Sequence, residues 1–64
     1  MEPKTIRELK KGEFFRLTAG ENAPVWVRGK YVREARKYSV YKYDDTNHER
    51  FFPGNKAVFT GFTF

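Results

Sequence analysis

Sixty-four residues with no cysteine and one histidine, His48, make a single domain, residues 1–64, that neither a disulfide nor a structural zinc site can brace. Seven Phe, four Tyr and Trp26 must supply the core instead, each ring burying about 150–250 Å². The formal charge of +5 is unevenly placed: Arg28, Lys30, Arg33, Arg36, Lys37 and Lys42 stand against the single acid Glu34, while the remaining basic and acidic residues cancel.

A field concentrated on one stretch is suited to attracting a polyanion. No apolar run approaches the roughly 18–20 residues of a membrane span, and Met1-Glu2-Pro3-Lys4 does not lead into a signal peptide. The expectation is a complete, soluble, cytoplasmic gene product with no membrane partner. There are no internal repeats or linkers.

Along the chain, Thr5-Ile6-Arg7-Glu8 has the capping-box pattern and predicts one short helical turn, with Ile6 and Leu9 on one side and Gly12 ending it. From Glu13 onward, β-branched and aromatic residues cut by turn formers predict several short strands. The first covers 13–18 and is followed by a surface loop over 19–24. The second covers 25–33 and the third 36–43. A polar turn over 44–48 leads to a short strand over 49–52. Phe52-Pro53-Gly54-Asn55 then reads as a type II turn, with Gly54 at positive φ, and the last strand covers 56–64. Gly29 and Gly61 fall inside strand patterns, where glycine marks a bulge or a bend. Five short strands suit a small, strongly bent barrel whose closure hides most sheet edges. The alternative is an open antiparallel sheet that finishes its core by dimerising.

The run Ile6-Arg7-Glu8-Leu9-Lys10-Lys11-Gly12-Glu13-Phe14-Phe15-Arg16-Leu17 resembles the opening of many short, uncharacterised bacterial proteins with SH3-like barrels. The shared pattern is leucine, two mostly polar residues, glycine, an acid, then phenylalanine and leucine at alternate positions. The resemblance covers about the first fifth of the chain and implies a fold only, because the motif carries no chemistry. The expected class is thus all-β: a small five-stranded antiparallel SH3-like barrel with one short N-terminal helical turn.

Strand alternation supplies the functional expectation. A hairpin around Glu34-Ala35 with a loop of two or four residues puts Val27, Gly29, Tyr31, Tyr38 and Val40 on a dry face. Trp26, Arg28, Lys30 and Val32 then share the opposite face with Lys37, Ser39, Tyr41 and Tyr43. The expected cross-strand pairs are Trp26 with Tyr43, Arg28 with Tyr41 and Lys30 with Ser39. An odd loop would exchange faces on one strand. On the first strand Phe15 and Leu17 point inward, leaving Phe14 and Arg16 outward. The candidate ligand-binding set is therefore Trp26, Arg28, Lys30, Tyr41 and Tyr43, flanked by Phe14, Arg16 and Lys37. Rings interleaved with cations are what single-stranded nucleic acid requires, since bases stack on the rings and cations neutralise phosphates. The competing reading makes the same Trp and Tyr residues a second, minor core overlaid by Arg and Lys stems.

A protein-interaction module is the other class of function, through a peptide groove beside the 18–24 loop or an edge-strand dimer formed by the aromatic segment 59–64. On either reading the chain is expected to be a monomer or a weak homodimer. Asp44-Asp45-Thr46-Asn47-His48 lacks the spacing and the glycine of a calcium loop, so no metal site is expected. Ser39, His48 and Asp44 can be assembled into a triad only on paper. No glycine-rich phosphate loop is present. The expectation is a binding domain rather than an enzyme, with no cofactor.

Overall fold

In the computed structural model, which describes residues 2–20 and 22–61, antiparallel strands dominate. They are β1 (Glu2–Thr5), β2 (Phe14–Phe15), β3 (Trp26–Val32), β4 (Lys37–Lys42), β5 (Asp45–Phe52) and β6 (Ala57–Thr60). Strands β2-β3-β4-β5 form a four-stranded meander, and β1 pairs with β6 in a separate ribbon. Arg16 and Phe59 join the two sheets through a reciprocal backbone bridge, with N···O distances of 2.9 and 2.8 Å. Among the described residues no pairing joins β5 to β1, so the sheets do not close into a barrel. The five-stranded closed form expected from the sequence is thereby corrected to six strands in two open, bridged sheets. No helix of the described residues is long and apolar enough to cross a membrane.

Several boundaries differ from expectation for physical reasons. Strand β1 has no apolar alternation. It exposes Glu2 and Pro3 and is held by backbone pairing to β6, an edge position that proline tolerates. The polar turn expected over 44–48 shrinks, because β5 already starts at Asp45. The ladder instead shifts register between Tyr41 and Lys42, and the Asp45 carboxylate accepts the Asn47 N–H at 3.2 Å. At the next turn Gly54 does not adopt positive φ. The bond runs from the Lys56 N–H to the Pro53 carbonyl at 3.0 Å, one residue later than a turn centred on Pro53-Gly54. Glycine leaves room there, since a Cβ on Gly54 would lie 3.1 Å from both Arg7 Nε and Tyr38 Cε1. Of the last expected strand, residues 62–64 lie outside the described residues.

The core is Ile6, Leu9, Phe15, Trp26, Val40 and Val58, all buried, with Leu17, Tyr38 and Phe52 packed against it. Ile6 arrives on a single 3-10 turn, Ile6–Glu8, where the sequence predicts a helical turn. The Thr5 N–H and hydroxyl both donate to Glu8 Oε1 at 2.9 Å. These bonds, the backbone N–H foremost, hold the Glu8 carboxyl below its ordinary value of 4.5. A lowered folded-state value means that this stabilisation is present above the ordinary glutamate pKa and is lost as pH falls through the folded one. Glu8→Gln is therefore expected to melt below the wild type near neutral pH, with the gap narrowing in acid. Thermal melts at pH 7 and pH 3 check this, and a gap unchanged by pH would refute it.

Candidate nucleic-acid interface

The geometry of the β3–β4 hairpin decides which side chains meet. Next to the turn the expected even register holds: Val32 pairs with Lys37 and Tyr31 with Tyr38 across a four-residue loop, in which Arg36 takes φ 54°. Between Arg28 and Tyr31 a bulge shifts the ladder by one residue, so that Arg28 pairs with Val40, Val27 with Tyr41 and Trp26 with Lys42. A bulge is unforgiving of side-chain parity, because a slip of one residue moves everything beyond it to the other face. Gly29 sits in the bulge because a Cβ would come within 2.7 Å of the Ser39 carbonyl oxygen.

This slip corrects the proposed outward face. Trp26 is 6% exposed and belongs to the core, with its indole edge-on to His48 at 5.7 Å. Arg28 lies on the Val40 side, opposite Tyr41, so the expected Arg28–Tyr41 and Trp26–Tyr43 pairs do not form. Arg16 is buried rather than outward, because its strand continues into the bridge to Phe59 and is covered on both edges. Lys30 and Lys37 are exposed as expected. Phe14 and Tyr43 are also exposed and meet edge-on at 5.4 Å. They flank the half-buried Tyr41 and the buried Val27 on the outer sheet face, so this part of the expected set stays together but without Trp26, Arg28 or Arg16. Ser39 shares that outer face and donates its hydroxyl to Glu49 Oε2 at 2.5 Å. His48 contacts Trp26 on the core side, so these two members of the paper triad lie on opposite faces of the sheet. Among the described residues no three His, Asp or Glu side chains converge to hold a metal ion.

A different basic and aromatic cluster forms where the core face runs out toward the hairpin. The Arg28 guanidinium lies 4.4 Å from the centroid of Tyr38, and Tyr31 tilts against the same ring at 4.9 Å. Phe52 pairs with Tyr38 across β4 and β5, and the Lys56 ammonium sits 5.6 Å above the Phe52 ring. Arg7 completes the group from the 3-10 turn. Its N–H donates to the Gly54 carbonyl at 3.0 Å, and its side chain and Tyr38 both pass close over Gly54. Among the described residues Arg7, Arg28 and Lys56 form no ion pair. Arg28 Nη1 donates to the Gly29 carbonyl at 2.8 Å, but its Nε is buried without an acceptor.

Sequence reasoning assigned Tyr31 and Tyr38 to the dry face and omitted Arg7, Phe52 and Lys56. The signal for the first pair was Gly29, whose bulge brings Arg28 onto their face. Arg7 lies far from the basic segment in sequence, and only the 53–56 turn brings it close. Comparison of the chain with known protein families, curated proteins and solved structures gives no match. The resemblance to short SH3-like bacterial proteins therefore rests on residues 6–17 alone.

Proposed function

We propose that this chain is a non-enzymatic binding domain, an open variant of the SH3-like barrel, that takes single-stranded nucleic acid on the surface formed by Tyr31, Tyr38, Phe52, Arg28, Arg7 and Lys56. The observation that carries the reading is the Arg28–Tyr38–Tyr31 stack, in which a cation meets two rings with no carboxylate partner among the described residues. Exposed Lys30, Arg33, Arg36 and Lys37 on the same hairpin extend the positive field. Cations neutralise phosphates, rings take bases, and neither reads sequence, so the binding is salt-dependent and tolerant of sequence.

Titration of a labelled oligonucleotide against the full chain at several salt concentrations tests this. Affinity is expected to fall linearly in log–log form with salt, and Arg28→Gln to weaken binding while flattening that slope by about one. No binding at low salt would end the proposal.

One observation favours a second reading, a protein contact. Phe14 and Tyr43 are 39% and 53% exposed and lie beside buried Val27 on the outer face, while β5 forms one edge of the meander. A homodimer seen by light scattering in nuclease-treated protein without added oligonucleotide, lost in Tyr43→Ser, would support this use of the outer face.

A further inference from the structure

We infer that Tyr31 is the platform on which one unpaired base stacks, and that Arg7 and Arg28 bind the adjoining phosphate, so that the strand crosses from the hairpin over Tyr38 and Gly54 toward the 3-10 turn. This rests on the nucleic-acid reading above and adds the position of the base and the path of the backbone.

The rings of the cluster are not equivalent. Tyr38 is half-buried, with a guanidinium against it and Tyr31 beside it. Phe52 is half-buried with an ammonium above it. Tyr31 is 47% exposed, yet its ring is supported by Tyr38. A large ring kept in water but held in orientation is ready to stack with little further ordering. A duplex hides the faces of its bases, whereas a single strand presents them.

The phosphate position follows from the two arginines. They come from segments more than twenty residues apart, yet Arg28 rests on the Tyr38 ring and Arg7 passes beside its edge over Gly54. The Arg28 guanidinium is half-buried and has no ion pair among the described residues, so a phosphate can pair with it from the solvent side. Arg7 lies outside the basic hairpin, so its contribution separates a strand crossing this face from one lying along the hairpin.

Fluorescence anisotropy with a labelled oligothymidylate of about ten nucleotides, and with an abasic strand of the same length, tests the assignment. Tyr31→Leu is expected to weaken thymidylate binding about 5- to 100-fold, to leave abasic binding and the salt slope unchanged, and to melt close to the wild type. Tyr31→Phe should retain the wild-type affinity. Arg7→Gln should weaken both strands and lower the salt slope by about one. Wild-type affinity in Tyr31→Leu, an equal loss on the abasic strand, or no effect of Arg7→Gln would overturn the inference while the broader reading stands. Failure of the wild type to bind either strand at low salt would overturn both.

Discussion

Trp26→Ala is expected to leave the domain largely unfolded and not merely deficient in binding. The indole is 6% exposed and packs in one cluster with Phe15, Val40 and Val58. Truncating a buried Trp or Phe to alanine costs about 3–5 kcal/mol. A domain of this length has a total stability of about 3–10 kcal/mol, and here no disulfide stands in reserve. Urea denaturation followed by far-ultraviolet circular dichroism provides the measurement, with Trp26→Phe as the milder comparison. An alanine variant with a wild-type midpoint would mean that the ring does not hold the core.

Gly29→Ala carries the second large effect, by overcrowding where Trp26→Ala leaves a void. The new methyl would sit 2.7 Å from a backbone oxygen of β4, and a backbone carbonyl cannot step aside as a flexible side chain can. Overpacking typically costs about 1–3 kcal/mol, equivalent to roughly 4–8 °C of melting temperature per kcal/mol in a domain of this size. Gly20→Ala is the control, since its nearest neighbour, Thr18 Oγ1, would be 3.9 Å away. It should melt within about 0.5 kcal/mol of the parent. Because Trp26 is the sole tryptophan, its fluorescence reports the core directly in both variants. Equal midpoints for the two alanine variants would show that the bulge tolerates a side chain.

Much of the sheet was legible because alternation is a local property. Phe15 inward and Phe14 outward, Val40 in the core with Tyr41 on the opposite face of β4, and the even loop between Val32 and Lys37 all follow from period-two patterning and turn chemistry, whereas Ser39 on that opposite face is buried, its hydroxyl bonded to Glu49. The candidate site was less legible, because a bulge changes parity without changing composition. Gly29 marks a bulge in the sequence, but only the paired strands show that the ladder shifts there, and a straight ladder turns Trp26 and Arg28 to the wrong face. The buried position of Arg16 and the arrival of Arg7 beside Tyr38 depend on pairings between distant segments, and no window of neighbouring residues contains that information. Strand β1 was missed for the opposite reason. It is held by its backbone and shows no apolar stripe to read.

The ribbon that joins Glu2 to Thr60 also shapes how the molecule assembles. Each pairing of the meander links strands adjacent in sequence, whereas this one closes a ring around nearly the whole described chain. Loop-closure entropy rises only logarithmically with ring size, so the penalty at equilibrium is modest. The kinetic penalty is larger, since non-local contacts must wait for a chance encounter of remote segments. Val58 lies on β6, and Ile6 directly follows β1, so the hairpins cannot seal their interior until the two ends of the described chain have met.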